Sequence, residues 1–146
     1  MRKSSLPILF AIVVLFLLSG QAVYACSCAP GSPGLTREQY LDNLTSNPSA
    51  FVFSGKVTKI SERKEYLEIK FRVQQYWGND IPSEFIMRMP IPRTNCTVDF
   101  QRRTAYFVVA TKIGDLFYTN ICATSIIERA AKDLDYLGAG KIPVKK

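Results

Sequence analysis

The chain has 146 residues, of which 47% are hydrophobic and 21% are charged, and its formal net charge is +7 at pH 7. This length predicts one domain with a modest core, and we expect no second domain. The sequence contains no histidine, and its four cysteines are expected to be oxidised. The usual Ser-His and Cys-His nucleophile systems are therefore excluded, and we expect no enzyme activity.

The first 25 residues are typical of a cleavable export signal. Arg2 and Lys3 form a basic start, residues 6–18 form an apolar run, and residues 19–21 form a polar break. The apolar run is shorter than the roughly 20 residues that a membrane-spanning helix needs. We therefore predict removal of the segment 1–25, with an uncleaved membrane anchor as the alternative.

Cleavage after Ala25 would make a cysteine the first residue of the mature chain. Val23 and Ala25 are small or aliphatic, which suits a signal peptidase. The mature chain would keep 17 basic residues against 12 acidic ones, a formal charge of +5. We expect a secreted, extracellular protein, and a periplasmic protein or a lipoprotein anchored through Cys26 is the alternative.

All four cysteines follow this cleavage site, at Cys26, Cys28, Cys96 and Cys122. In an oxidising compartment they predict two disulfides. A bond between the first two would close a very small, strained ring, so each of them should reach one of the two distant cysteines. A four-cysteine zinc site is the alternative, but the Cys-x-x-Cys spacing of such sites is missing. We expect no bound metal and no other cofactor.

The chain after Cys28 predicts two helices and five strands. A capping box at Thr36-Arg37-Glu38-Gln39 predicts a helix that ends near Leu44. A second box at Ser125-Ile126-Ile127-Glu128 predicts a last helix, which glycines stop after residue 137. Apolar and polar residues alternate between these boxes, as is typical of strands. The predicted strands are Phe51–Ile60, Tyr66–Trp77, Glu84–Met89, Ala105–Thr111 and Leu116–Cys122.

These elements favour a mainly β fold with flanking helices. Five antiparallel strands suit a Greek-key barrel of the OB type, in which closure removes exposed strand edges. A β-sandwich also fits the strand count. We divide the chain into an export signal at 1–25, the barrel domain at 26–140 and a basic tail at 141–146.

The basic residues are scattered along the chain, which is typical of a solvated surface. An acidic surface or a glycan is the alternative partner. OB barrels also bind nucleic acid, and four aromatic residues could stack on bases: Tyr76, Trp77, Phe85 and Tyr118. Aromatic residues on strands usually belong to the core, so no nucleic acid is expected. Before the fourth strand, Arg103 stands where glycine would more easily adopt a turn.

The cysteine pattern carries a resemblance to a known family. The opening Cys26-Ser27-Cys28-Ala29-Pro30, the strand beginning Phe51-Val-Phe-Ser-Gly-Lys-Val57 and the distances to Cys96 and Cys122 resemble the inhibitory domain of the tissue inhibitors of metalloproteinases. These belong to the wider netrin-like group, and the chain is similar to its short single-domain members. The resemblance implies an OB barrel in which Cys26 pairs with Cys96 and Cys28 pairs with Cys122.

The same resemblance implies a function, and we expect a monomeric protein. The amino and carbonyl groups of Cys26 would chelate the catalytic zinc of a partner metalloprotease, and Ser27 would enter the pocket beside that zinc. The remaining contact ridge would consist of Cys28, Ala29, Pro30, Thr94 and Asn95. The alternative is a noncatalytic netrin-like interaction module, extracellular or at a cell envelope, in which Cys26 serves only as a disulfide partner.

Overall fold

The structure is a computed structural model and describes residues 26, 28 and 34–144. The predicted export signal, Ser27, Ala29, Pro30 and the last two lysines lie outside these residues. The elements of the described part follow in chain order: α1 (Arg37–Ser46), β1 (Ala50–Glu62), β2 (Tyr66–Gly78), β3 (Glu84–Pro90), β4 (Ala105–Ile113), β5 (Leu116–Tyr118), β6 (Ser125–Ile126), a 3-10 helix (Ile127–Arg129) and α2 (Ala131–Leu137).

The strands form one antiparallel sheet in the order β3-β2-β1-β4-β5, with β6 paired to β4. The ladder between β1 and β2 has two bulges, the first with the extra residue Gln74 in β2 and the second with the extra residue Thr58 in β1, and both increase the local twist. Gly55 follows the first bulge, where an added Cβ would come within 3.0 Å of the Arg72 carbonyl oxygen. The sheet curls until Phe85 of β3 and Phe117 of β5 meet, with ring centroids 5.2 Å apart. The prediction of a mainly β fold with helices is confirmed, and this curled half-barrel is consistent with an OB-like β-barrel.

The inner side of the half-barrel holds the main core. Alternate residues of each strand point inward, as the period-2 pattern of β2 predicts. Phenylalanine rings dominate the centre, and Phe53 meets Phe71 edge to face with centroids 5.2 Å apart. The largest fully buried side chains of this core are Phe53, Phe71, Ile69, Met87, Met89, Val57 and Val108.

A second, smaller core lies on the outer side, where α1 and α2 cover part of the sheet. Leu41 of α1 packs there with Val52, Trp77 and Phe107, all of them buried. The Trp77 Nε1–H donates to the Gly138 carbonyl oxygen at 3.1 Å. Three of the four aromatic residues considered for base stacking, Tyr76, Trp77 and Phe85, are thus buried, and only Tyr118 is exposed.

The first capping box is confirmed, and the second is wrong. Thr36 Oγ1 accepts from the Gln39 N–H at 3.3 Å, and Gln39 Oε1 accepts from the Thr36 N–H at 2.9 Å. Ser125 instead lies in β6 opposite Phe107, so the helix begins only at residue 131 and has no side-chain cap. Pairing with the sheet therefore overrides the local helix signal.

Two further boundaries differ from the sequence prediction. β5 ends at Tyr118 and does not continue to Cys122, because threonine side chains take over the bonds to β4 beyond that point. The backbone of Lys141, assigned to the tail, pairs with Tyr76 in both directions at 2.9 Å. Gly140 lies beside it, where an added Cβ would come within 2.9 Å of the Trp77 ring.

An ion pair joins the two helices and generates a stability prediction. Arg37 binds Asp133 through two hydrogen bonds, Nη2 to Oδ2 at 2.6 Å and Nε to Oδ1 at 3.0 Å. The hydrogen bond to Asp133 raises the pKa of Arg37. We expect Asp133→Ala to lower the free energy of unfolding by about 1 kcal/mol in urea titrations. Asp135→Ala, an exposed position on the same helix, should change it by less than about 0.5 kcal/mol. Equal midpoints for the two variants would contradict a stabilising role.

Candidate functional site

Two disulfides attach the start of the predicted mature chain to the half-barrel. Cys26 is bonded to Cys96 and Cys28 to Cys122, with a Cα–Cα distance of 5.2 Å in each case. These are the two pairings that the family resemblance implies. They span 70 and 94 residues, and closing loops of that length restricts the unfolded chain by roughly 4 to 5 kcal/mol each in a loop-entropy model.

We call these residues, together with loops 94–97 and 119–124, the disulfide platform. The first loop is a tight turn closed by two threonines. The Thr97 N–H donates to the Thr94 carbonyl oxygen at 3.0 Å, and the Thr94 N–H donates to Thr97 Oγ1 at 3.0 Å. On either side of the turn, Arg93 and Asp99 form an ion pair at 2.7 Å. Cys96 is therefore presented from a turn with internal bonds.

The second loop is held by Asn120. Its side-chain Oδ1 accepts from the backbone N–H groups of Cys122 at 2.9 Å and Ala123 at 3.0 Å. The Ile121 N–H donates to the Cys96 carbonyl oxygen at 3.0 Å. This last bond joins the two loops directly, so the two disulfides anchor the chain to one connected surface.

A pair of threonine hydroxyls fastens the second loop to β4. The Val109 N–H donates to Thr124 Oγ1 at 2.9 Å, and the Thr119 hydroxyl lies 2.7 Å from the Val109 carbonyl oxygen. The two hydroxyl oxygens are 2.6 Å apart. Each hydroxyl has one proton, so one donates to the carbonyl and the other to its neighbour. Thr124 is buried, and these bonds replace the strand pairing that ends at residue 118.

The structure brings together six of the nine predicted site residues. The four cysteines meet through the disulfides, and Thr94 and Asn95 lie next to Cys96 with exposed side chains. The other three, Ser27, Ala29 and Pro30, lie outside the described residues.

Sequence reasoning missed Ile121 as a platform residue. Its side chain is 46% exposed beside Cys122 in the second loop of the platform. The reason for the miss is that the segment reads as a continuous strand, in which an apolar residue at this position would count as core. The signal that could have revealed it is Asn120, since asparagine is enriched in turns and depleted in strands.

Two tyrosines with shifted pKa values lie outside the platform. Burial raises the pKa of Tyr76, whose hydroxyl donates to Asp80 at 3.1 Å. A hydrogen bond donated to Asp42 at 2.8 Å raises the pKa of Tyr136. Both phenols therefore stay protonated at neutral pH. Among the described residues, no group of three or more histidine, cysteine, aspartate or glutamate side chains could hold a metal ion.

No model of a known protein family matches the sequence, and no curated protein matches it significantly. In the part of the chain that the structure describes, no helix is both long and apolar enough to cross a membrane.

The hydroxyl pair behind Cys122 leads to a second stability prediction. Thr124→Val keeps the shape but leaves the buried Val109 N–H without its acceptor, so we expect a loss of about 1 to 3 kcal/mol in the free energy of unfolding. Thr111→Val is the matched control, because the Thr111 hydroxyl has no hydrogen-bond partner among the described residues. Faster amide exchange at Val109 in the Thr124 variant alone would locate the effect. Indistinguishable unfolding of the two variants would refute it.

Proposed function

We propose that this chain is an exported inhibitor of zinc metalloproteases, similar to the tissue inhibitors of metalloproteinases, and that it acts through the amino and carbonyl groups of Cys26. One observation carries the proposal. The disulfides Cys26–Cys96 and Cys28–Cys122 attach the first residues of the predicted mature chain to two loops that are themselves hydrogen-bonded together. An extracellular location is compatible with these disulfides.

The strand order supports the proposed Greek-key OB barrel. β4 pairs with β1 rather than with β3, so four successive strands lie in the order β3-β2-β1-β4. This order supports a Greek-key topology, in which the fourth strand returns to lie beside the first. Contact between Phe85 and Phe117 brings the free edges of the sheet together, as an OB barrel requires.

The mechanism follows from the chemistry of an open zinc site. A catalytic zinc has three protein ligands and a fourth position for water or substrate. A free α-amino group, together with the carbonyl oxygen of the same residue, can occupy that region as a two-atom donor and displace the water. The amine must lose its proton to bind. Cleavage after Ala25 would create this amine on Cys26.

Preorganisation explains why the donor should be held by disulfides. A flexible chain end would lose conformational entropy on binding, whereas Cys26 is fixed by a bond that folding has already formed. In the proposed complex, Ser27 enters the pocket beside the zinc. Ala29 and Pro30 extend the contact, and exposed Thr94 and Asn95 form its second side. The proposal assigns no catalytic step to the chain itself.

An amino-terminal extension tests the chelating role directly. The disulfide-bonded protein beginning at Cys26 should inhibit a zinc endopeptidase, with its start verified by intact mass. Adding one alanine before Cys26 converts the amine into an amide that cannot chelate, so we expect the inhibition constant to rise at least about 100-fold, or about 2.7 kcal/mol.

Thermal unfolding of the two forms provides the control, because the extension leaves both disulfides in place and should not change stability. Equal inhibition by the two forms would overturn the chelating role of Cys26. Absence of inhibition by both across a panel of zinc proteases would favour the alternative, a noncatalytic netrin-like module.

The exposed isoleucine of the platform gives an independent test of the contact surface. We expect Ile121→Ser to weaken inhibition about tenfold, since an apolar side chain that a partner buries is lost. Ile113→Ser is the matched control, because Ile113 is 62% exposed at the distal β4–β5 turn. If both variants inhibit like the parent protein, Ile121 lies outside the interface. If both weaken equally, the effect does not map to the platform.

A further inference from the structure

The outer side of β1, β2 and β3 that the helices leave uncovered carries a concentration of positive charge. Pairing in the sheet places five cations on this side, and we call them the cationic face: Lys56, Lys59, Lys70, Arg72 and Arg88. In the ladder, Lys56 is the direct partner of Arg72, and Lys59 is the direct partner of Lys70. Two like-charged pairs therefore lie side by side on neighbouring strands.

A bulge in β1 is responsible for the position of Lys59. Residues three apart on a regular strand point to opposite faces, so Lys59 would point into the core if Lys56 points out. The register shifts between Val57 and Lys59, and the extra residue Thr58 donates its hydroxyl to the Lys70 carbonyl oxygen at 3.0 Å. Ile60 consequently packs against the core while Lys59 is exposed on the outer side.

Acidic residues neutralise only part of this face. Glu84 forms an ion pair with Lys70 at 2.6 Å, and Glu68 forms one with Arg88 at 3.5 Å. Arg72 lies opposite Glu84 in the ladder, but no ion pair joins them. Three exposed cations thus have no ion pair among the described residues: Lys56, Lys59 and Arg72.

This arrangement works against folding stability. Like charges directly opposite each other in a sheet repel. In addition, Arg103 adopts a φ of 67°, a left-handed conformation that is strained for residues other than glycine. Its N–H donates to the carbonyl oxygen of Val57, the residue that follows Lys56, at 2.8 Å, so the backbone of a further exposed arginine is held beside β1. A bound polyanion would relieve the repulsion.

We propose that the cationic face binds an extended acidic polysaccharide through its sulfate or carboxylate groups. Guanidinium and ammonium groups form strong, charge-assisted hydrogen bonds with such anions. Single-stranded nucleic acid binding relies on stacking aromatic rings. On these three strands, the one outward aromatic near the cations, Tyr66, lies under the Arg88 guanidinium at 5.2 Å. A membrane would require an apolar cluster, and Ile86 is the one exposed large apolar residue of these strands.

The test compares two double variants with the same charge change in the disulfide-bonded protein. Lys56→Gln with Arg72→Gln removes a directly opposed pair. Arg129→Gln with Lys132→Gln removes one arginine and one lysine from exposed positions on the helical side. Binding to heparin is measured at several salt concentrations. For the first variant we expect the dissociation constant to rise at least about tenfold and the slope against log salt to fall by about two. The control should stay within about twofold.

Thermal unfolding separates loss of binding from loss of folding. The first variant should be at least as stable as the parent, because it removes a repulsive pair. Equal losses for both variants would reduce the effect to net charge and overturn the proposal, as would absence of heparin binding by the parent at 0.15 M salt. Tighter binding to a single-stranded oligonucleotide or to phosphatidylserine vesicles would overturn the choice of partner. Protease inhibition is assayed separately and should be unchanged in both variants.

Discussion

Two covalent bonds determine where the start of the predicted mature chain lies. Cys26 and Cys28 are separated by one residue but bonded to different loops, so the segment cannot pivot about a single attachment. The loops add their own restraints, since Asn120 closes one of them and the Ile121 N–H bonds the other. The order of the platform is therefore established by folding rather than by a partner, which is the condition for a short segment to bind with little entropic cost.

The central strand β1 contributes both to the curvature of the half-barrel and to the cationic face. Bulges in β1 and β2 curl the paired strands around the phenylalanine core, and the bulge in β1 also reverses the side-chain alternation beyond Thr58. One extra residue thus lets Ile60 enter the core and Lys59 face outward. Both consequences come from the same local backbone geometry, so the curvature of the half-barrel and the charge distribution on its outer side are physically coupled.

Short sequence patterns correctly predicted the elements whose backbone does not pair with a distant segment instead. The Thr36 box and the alternation in β2 needed no information beyond their own segments, and both are present. The equally plausible box at Ser125 failed because pairing with Phe107 competes for the same backbone. For the site, the cysteine pattern indicated its centre, but the bonds of Thr124 to β4 could not be predicted, since side-chain bonds across the fold leave no periodic trace in a sequence.

The segment after α2 is attached to β2 by a small number of hydrogen bonds. The Gly138 carbonyl oxygen accepts a hydrogen bond from the indole N–H of Trp77, and the backbone of Lys141 pairs with that of Tyr76. Gly140 lies where a side chain would clash with the Trp77 ring. Removal of residues 140 and beyond by an exopeptidase would eliminate the two backbone hydrogen bonds between Lys141 and Tyr76 and expose the Trp77 indole to solvent. Partial loss of carboxyl-terminal residues during storage would accordingly destabilise the side of the sheet covered by the helices. The disulfide platform makes none of these contacts and would keep its structure.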